Sequence, residues 1–600
     1  MKLLRLKLNT PFRNLQPGFE VHFLREWDYD KAPEFNPYCL VGRNGSGKSN
    51  ILEALAAIFY HIECIYLKYR PDGFEYDEDE NPNGFRADKS FPDAFELEYF
   101  FPLKGEYIKK DSEDLLIKFR NKLNAHIIIT KEKGKEPQIH WKNRSDFQDK
   151  PTTKLSRLEV KDFLPKFVLG FSSGHNEILS LPFFKMRFIH FDEYKDILIK
   201  DDHYGQAPEG RLIYLDNQFS QAIVLCNFLM QPPHILKPFE DEIGISAIKQ
   251  FRIIIRTHHR MQLHEDLLQS FSDKDRQDKN KSEVELTSKL KSSIEKLKKC
   301  STTKFYEYDD ETDSYNLYLD YWINDATREA FRLHFGSAFS TSFAPGFDTG
   351  FGDEPFDTSA CSALDLFQTF QMLLTLNLYT VRGSTKKELY ESESLYVDET
   401  VPTPPSDERI MRFKDFVIKK KGVKDVMYGK SLSDGEHQFL HAIGLCLLFK
   451  DEPALFLLDE PETHFNPDWR ARLISSLREC LESDDSRSVM REMLIASHSP
   501  FIVSDCHEEN VLVFKKDEKT SDISCTRPDF KTFGASVNQI TIKAFEKIET
   551  IGGYAQNKLD ELEKRFAQGE DAESLIKEAN RTLGDSVEKV IFINKLLDKK

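Results

Sequence analysis

The chain has 600 residues, a length that favours two or three domains over one. Its formal net charge of −17 excludes a surface that is basic all over, so any contact with nucleic acid must use a local basic patch. The nine cysteines form no C-x-x-C pair, and no apolar run approaches the roughly 18 residues that span a bilayer. We therefore expect a reduced, soluble, cytoplasmic protein without membrane contact.

The first predicted element is a strand, because leucines alternate with charged residues from Leu3 to Leu8. The next apolar stretch leads into a glycine-rich turn and then into apolar residues at helical spacing, so 38–60 is expected to form strand, loop and helix. Later patterns predict strands at 95–102 and 124–130, a helix at 283–299, loops at 71–94 and 336–359, a linker at 399–408 and helices after 535.

The glycine-rich turn reads Gly42-Arg43-Asn44-Gly45-Ser46-Gly47-Lys48-Ser49, a full match to the GxxxxGK[ST] pattern. Glycines let backbone N–H groups wrap a polyphosphate, and the following helix adds its positive end. Lys48 is expected to reach the β- and γ-phosphates, and the Ser49 hydroxyl to bind Mg²⁺. The candidate nucleotide-binding residues here are Asn44, Gly45, Ser46, Gly47, Lys48 and Ser49. A chance glycine-rich turn is the alternative, but it leaves the strand before and the helix after unexplained.

A second motif, Leu432-Ser433-Asp434-Gly435-Glu436, precedes apolar residues at helical spacing. Ser433 and Gly435 are candidate nucleotide-binding residues, since a capped helix N-terminus suits a γ-phosphate. The alternative is an ordinary N-cap, with Ser433 as the cap and Glu436 closing a capping box; the two interpretations are compatible.

A third motif, Ala454–Glu460, runs five apolar residues into two carboxylates, as in a buried central strand with acids at its carboxyl end. Asp459 is the candidate Mg²⁺ ligand and Glu460 the candidate catalytic base for an attacking water. Two acids that merely cap a strand end are the alternative.

A fourth motif, Met493–Pro500, is another buried strand that ends in a polar turn. A lone histidine at such a position is more often structural than catalytic, but the spacing of His498 after Glu460 suits a sensor of the γ-phosphate.

The order of these four motifs resembles that of ABC-type ATPases. The run Asn44–Ala54 resembles the SMC and RecF branch, and Asp459–Pro467 is similar to the DEPExHLHP run of RecF-like and OLD-type ATPases. A narrower likeness rests on Gly170–Glu177, on the expected strand Arg412–Lys419 and on Leu583-Gly584-Asp585-Ser586. These segments resemble restriction-system-associated and Septu-type anti-phage ATPase subunits.

Several features depart from that pattern. The long insertion between Ser49 and Leu432 has no heptad tract and no C-x-x-C hook, which excludes a long tether. Gln218 and Gln221 are weak candidates for the nucleotide-contacting glutamine of the branch, and a polar helix start is the favoured alternative. Ser172-Ser173-Gly174 is similar to part of the motif Leu432–Glu436, the signature motif of ABC-type ATPases, but it lies before the insertion and not after it. The segment Phe501–Lys600 lacks the acidic motifs of a Toprim nuclease.

The resemblance implies an α/β fold: an ABC-type two-lobed P-loop ATPase head with a helical insertion and a helical C-terminal region. The expected division is 1–260 and 409–535 for the lobes, 261–408 for the insertion and 536–600 for the tail. It further implies ATP and Mg²⁺ bound in a head-to-tail homodimer, with Ser433 and Gly435 acting in trans.

Two functions fit this reading. One is a regulatory ATPase of an anti-phage defence complex that controls a separate nuclease, and the other is a RecF-like DNA-repair clamp on duplex DNA. The narrower likeness favours the first. A transporter ATPase is disfavoured by the insertion and by the run after Glu460.

Overall fold

The computed structural model describes most of the chain. The described ranges are 1–25, 35–67, 69–71, 73–79, 81–108, 124–150, 152–173, 177–200, 210–262, 283–310, 313–335, 363–392, 401–425, 427–481, 489–546 and 551–597.

Strands occur throughout these ranges. In chain order they are β1 (Lys2–Leu8), β2 (Phe19–His22), β3 (Tyr38–Gly42), β4 (Phe95–Pro102), β5 (Asn124–Lys131), β6 (Gln138–Trp141), β7 (Phe167–Ser172), β8 (Leu212–Tyr214), β9 (Ile245–Thr257), β10 (Arg260–Gln262), β11 (Glu283–Glu285), β12 (Thr303–Asp309), β13 (Ser314–Trp322), β14 (Met411–Lys420), β15 (Met427–Tyr428), β16 (Ala454–Asp459), β17 (Glu492–Ala496), β18 (Val511–Lys516) and β19 (Ile523–Thr526).

Helices alternate with them. In chain order the α-helices are α1 (Lys48–Tyr66), α2 (Arg157–Val160), α3 (Glu177–Lys200), α4 (Asn217–Met230), α5 (Lys291–Cys300), α6 (Asp325–Phe335), α7 (Ala363–Thr375), α8 (Gly383–Glu391), α9 (Asp434–Leu448), α10 (Pro467–Leu481), α11 (Pro500–Ser504), α12 (Val537–Lys543), α13 (Gly553–Ala567), α14 (Ala572–Thr582) and α15 (Val587–Leu597). A short π-helix covers Phe239–Ile243.

The chain forms two compact units. The first comprises Met1–Pro37 and Ser49–Ile495, and the second comprises Tyr38–Lys48 and Ala496–Lys600. The predicted division into two lobes, an insertion and a tail stays a prediction.

The first unit contains an antiparallel sheet in the order β2-β1-β4-β5-β6. In β4, buried and half-buried residues alternate strictly, because one face of the sheet packs on the core and the other does not. The strands predicted from the leucine alternation and at 95–102 and 124–130 are thus confirmed.

A second antiparallel sheet of the same unit has the order β12-β13-β9-β14-β15. The predicted strand Arg412–Lys419 is confirmed as β14, which pairs with the central strand β9. The segment expected to be a helical insertion does contain α5, α6, α7 and α8, and it also contributes the hairpin β12–β13 to this sheet. The helix expected at 283–299 begins only at Lys291, after the short strand β11.

The strands that carry the chemistry of the first unit are parallel and buried. β16 pairs in parallel with β7, and β7 with β8, while β17 lies on the other side of β16. Every residue of β16 is buried, as the apolar run Ala454–Leu458 predicted. Helix α9 packs on α4, where Asn227 Nδ2 donates a hydrogen bond to the Gly444 carbonyl oxygen at 2.9 Å.

The second unit combines strands with a helical tail. Its strands have the order β19-β18-β3, with β18 parallel to β3. Helices α13, α14 and α15 pack together around a core of their own, formed by Leu559, Leu562, Ala572, Leu575, Ala579, Phe592 and Leu596. The helical tail predicted after residue 535 is confirmed for its described part. None of the described helices is both long and apolar enough to cross a membrane.

Candidate nucleotide-binding site

The P-loop of the second unit follows a fully buried strand, β3. Gly42 has φ +152°, and a Cβ atom there would collide with the Phe514 carbonyl oxygen on the neighbouring strand and approach Ser46 Oγ to 2.7 Å. Gly47 has φ +89°, which side chains rarely adopt. The loop therefore needs glycine at these positions to turn tightly at the strand end. The predicted order of strand, loop and helix is confirmed.

Lys48 lies at the centre of this loop with 5% of its surface exposed. Its Nζ donates to the carbonyl oxygens of Gly42 at 3.1 Å and Arg43 at 3.2 Å, and to Nε2 of His498 at 2.9 Å. Two residues predicted from distant motifs thus meet within the second unit.

The first unit brings together the two residues predicted to bind Mg²⁺. Ser49 Oγ donates to Asp459 Oδ1 at 2.8 Å, although the two residues lie far apart in the sequence. Asp459 ends β16 and is 5% exposed, so its carboxylate is held at the carboxyl edge of the parallel strands, where ligands of such sheets bind.

Glu460 turns the chain sharply away from β16. Its φ is +49°, a left-handed backbone value that is uncommon for residues other than glycine. The Glu460 carbonyl oxygen accepts hydrogen bonds from Ser173 Oγ and, at 3.0 Å, from Thr463 Oγ1. Thr463 also accepts from Ser173 Oγ at 2.8 Å, so two hydroxyl groups hold the backbone of Glu460.

Ser173 is a residue whose role the sequence left unassigned. β7 and β16 pair in register with Ser172 opposite Asp459, and the Ser173 amide donates to the Asp459 carbonyl oxygen at 3.2 Å. The Ser172-Ser173 pair therefore continues β7 alongside the acidic strand end. Gly174, His175 and Asn176 lie outside the described residues.

The signature helix α9 begins with the capping box predicted for it. Ser433 Oγ accepts from the Glu436 amide at 3.3 Å, and Glu436 Oε2 accepts from the Ser433 amide at 2.8 Å. Burial would raise the pKa of Glu436, but hydrogen bonds from Lys420 and Ser433 outweigh it and lower that pKa. The carboxylate therefore stays charged and holds the first turn. Ser433 itself is exposed.

Gly435 packs closely on the loop that follows the acidic strand end. A Cβ atom at this position would lie 2.6 Å from the His464 carbonyl oxygen. Next to it, Gln438 Nε2 donates to the Pro461 carbonyl oxygen at 2.8 Å, and Gln438 Oε1 accepts from the His464 amide at 3.2 Å. The signature helix and the segment after Glu460 are therefore in direct contact. The sequence motifs did not predict this contact.

Gln218 occupies the second position of α4, and its side chain lies outside the described residues. Its proposed contact with nucleotide stays a prediction, as do the roles assigned to the other candidate residues of the site.

The residues fit a magnesium–nucleotide ligand. Ser46 Oγ is buried without a hydrogen-bond partner among the described residues, as expected of a group that faces a phosphate. Mg²⁺ in such sites is held by few protein ligands, with waters and phosphates completing the octahedron, so one hydroxyl and one carboxylate suffice. No group of three or more His, Cys, Asp or Glu side chains in the described part of the chain could hold a metal ion.

Comparison with known proteins supports the same chemistry over part of the chain. A family model described as "AAA domain, putative AbiEii toxin, Type IV TA system" matches residues 399–504, the segment that contains α9, β16 and His498. No curated protein sequence matches the chain.

Solved structures of Smc heads show a weak likeness. The Smc head bound to the C-winged helix domain of ScpA is 11% identical, with 88% of this chain and 98% of that chain covered at a TM-score of 0.30. The Smc head domain with a coiled coil and joint from Pyrococcus yayanosii is 12% identical, with 91% and 99% covered at the same TM-score of 0.30. A TM-score this low supports no conclusion about fold or function. The complete P-loop motif and the family match identify the chain as one that carries a P-loop ATPase domain.

Proposed function

We propose that this chain is the ATP-binding and ATP-hydrolysing regulatory subunit of a bacterial anti-phage defence complex. Two heads close on ATP in a head-to-tail homodimer, and this closure controls a separate nuclease. The P-loop ATPase chemistry is the core of the proposal, and the defence role rests on the resemblance of Gly170–Glu177, β14 and Leu583–Ser586 to defence ATPase subunits.

The observation that carries the ATPase part is the 2.8 Å hydrogen bond between Ser49 Oγ and Asp459 Oδ1. Each residue was assigned to Mg²⁺ from a different motif. Ser49 and Asp459 would hold Mg²⁺, which would neutralise phosphate charge when bound. Lys48 would bind the β- and γ-phosphates, Glu460 would accept the proton of the attacking water, and His498 would contact the γ-phosphate.

The shared active site is supported by the position of Ser433. It is exposed at the capped N-terminus of α9, so its hydroxyl and the positive end of the helix are accessible to the γ-phosphate of a second molecule. ATP binding then favours the closed dimer, because ATP would bind the closed dimer more tightly than the open one.

The separate nuclease is supported by an exposed apolar face in the tail. Helix α15 exposes Val587, Val590 and Ile591, which suits the docking of another protein. The family description names a toxin of a toxin–antitoxin system, which is compatible with a chain that acts together with a second component.

The test is a challenge with phage combined with affinity capture in the native host. Cells with wild-type chain and its genomic neighbours should resist phage, and Lys48→Ala should abolish resistance because it removes the cation for the phosphates. Tagged wild-type chain should capture a nuclease, while the purified chain alone should leave DNA and RNA intact with Mg²⁺ or Mn²⁺. A chain that cuts nucleic acid alone, or that captures duplex DNA without a nuclease, would contradict the regulatory role and leave the ATPase assignment standing.

A further inference from the structure

Gln438 of the signature helix α9 binds the loop 461–464. It lies one turn after Gly435 on the same face of the helix, and only 6% of its surface is exposed. Its Nε2 donates to the Pro461 carbonyl oxygen at 2.8 Å, and its Oε1 accepts from the His464 amide at 3.2 Å. The donor and the acceptor of this buried side chain are therefore both used on one short loop.

A second helix fixes the same loop. Arg470 of α10 donates from Nε to the Glu462 carbonyl oxygen at 3.3 Å and from Nη2 to the Thr463 carbonyl oxygen at 3.0 Å. Three successive carbonyl oxygens, beginning with that of Pro461, thus accept hydrogen bonds from side chains of α9 and α10. Because each bond holds one peptide unit, the two helices set the position of the loop.

Thr463 connects this loop with Glu460, the candidate base. Its Oγ1 lies 3.4 Å from Glu460 Oε2 and donates to the Glu460 carbonyl oxygen at 3.0 Å. The Glu460 carboxylate would accept the proton of the attacking water, and a displacement of about 1 Å in such a group can lower the rate roughly a hundredfold. A residue that holds the loop therefore also limits where this carboxylate can lie.

We propose that Gln438 is a positioning residue for Glu460 of its own chain. It holds the loop 461–464 so that Thr463 stays beside the Glu460 carboxylate. In the proposed function, on which this role rests, the N-terminus of α9 contacts the nucleotide of the partner chain. Helix α9 then serves two active sites, because Ser433 contacts the nucleotide of one site and Gln438 acts on the base of the other.

The first test is Gln438→Glu. A protonated carboxyl group keeps both hydrogen bonds, since its O–H donates to Pro461 and its other oxygen accepts from His464. The ionised group has no donor and repels the Pro461 carbonyl oxygen. Burial raises the pKa of the introduced group, so its neutral fraction grows as the pH falls. Relative to wild type, kcat should be lower by about tenfold at about pH 9 and should recover by about pH 6, with little change in KM for ATP.

The matched control is Gln231→Glu. Gln231 Nε2 lies 3.5 Å from the carbonyl oxygen of Leu447, which is at the other end of α9, so kcat of this variant relative to wild type should not depend on pH. Thermal denaturation at each pH measures stability separately. A role in folding alone would change the midpoint of Gln438→Glu and leave kcat of the folded protein unchanged at every pH, and that result would overturn the proposal.

Mixed dimers show which of the two sites Gln438 serves. A dimer of Ser433→Arg with Lys48→Ala has one intact site. That site takes its P-loop and Glu460 from the Ser433→Arg chain and its signature from the Lys48→Ala chain. Adding Gln438→Leu to the Ser433→Arg chain should lower hydrolysis by about tenfold, whereas adding it to the Lys48→Ala chain should have little effect.

The opposite pattern would mean that Gln438 supports only the signature, and equal losses would mean general damage to the fold; either result would overturn the proposal. Absence of hydrolysis in the parent mixture would instead contradict the shared sites of the proposed function. The pH dependence of Gln438→Glu then decides the role of Gln438, because it does not depend on which chain supplies the signature.

Discussion

Glu460 combines a left-handed backbone with a carboxylate at the end of a buried strand. Such a conformation costs energy and persists only where the surroundings enforce it, and here Ser173 and Thr463 hold its carbonyl oxygen. The left-handed turn at Glu460 comes directly after Asp459, the last residue of the buried strand.

Glu460→Gln should therefore keep ATP binding and lower the rate of hydrolysis by roughly 10²-fold or more, because the amide cannot accept a proton. Nucleotide affinity and steady-state phosphate release measure the two effects separately. Glu518→Gln, at an exposed position, serves as the control. Hydrolysis at the wild-type rate would exclude Glu460 as the base.

Ser173→Ala tests whether the hydroxyl bonds around Glu460 position it. We expect kcat to fall several-fold with little change in ATP affinity, because the Ser173 hydroxyl contacts the backbone of Glu460, the candidate base. Ser173→Thr retains the hydroxyl and should restore most of the rate. A loss of affinity equal to the loss of kcat would instead point to general damage to the site.

The sequence predicted the residues of the motifs, but it did not predict the residues that contact and support them. The P-loop pattern and the acids after a buried strand predicted the pairing of Ser49 with Asp459, because both motifs refer to one ion. Ser173 escaped prediction, since its contact with Glu460 arises from the parallel pairing of β7 with β16, two strands separated by the whole insertion.

Among the helices and strands, the signature helix α9 is positioned by the residues of its first turn. The capping box fixes Ser433, and Gly435 lets the helix approach the His464 carbonyl oxygen. Both features place the N-terminus of α9 against the segment that follows Glu460.

Gly435→Ala should break this packing. The added methyl group would lie 2.6 Å from the His464 carbonyl oxygen, so helix and loop must separate at a cost of about 1–3 kcal/mol. Thermal denaturation should show a lower midpoint, and the ATPase rate should fall with it. Gly383→Ala is the matched control, because a Cβ atom there meets nothing within 4 Å and alanine favours a helix. Equal midpoints for the two variants would mean that the loop at His464 moves away from the added methyl group without a measurable loss of stability.

Elements with one buried face were predictable, and those without one were not. β4 alternates between buried and half-buried residues along its whole length, and its bounds matched the prediction. In β12, six of the seven residues are exposed, so no burial period marks it, and the hairpin with β13 went unforeseen. Pairing with a neighbouring strand, not burial, defines such an edge strand.

For the whole molecule, the decisive property is whether one active site uses two chains. The Ser433 hydroxyl is exposed, whereas Lys48 is buried in its own loop, which is what a site completed by a partner requires. Ser433→Arg should leave ATP binding intact and block hydrolysis at the site that it faces, because it removes the hydroxyl that would contact the γ-phosphate. Lys48→Ala should block hydrolysis by removing the phosphate contact.

Mixing the two inactive variants tests the shared site. If each site takes its P-loop from one chain and its signature from the other, a mixed dimer has one site with both defects and one site with none. Random pairing makes half of all dimers mixed, so hydrolysis should return to about a quarter of the wild-type rate, provided that one intact site turns over alone. The measurement is phosphate release from mixtures whose mixed dimers are verified by differently tagged chains. If each chain held a complete site, every chain in the mixture would carry one defect and no activity would return. Verified mixed dimers that stay inactive would therefore withdraw the support for sites shared between chains.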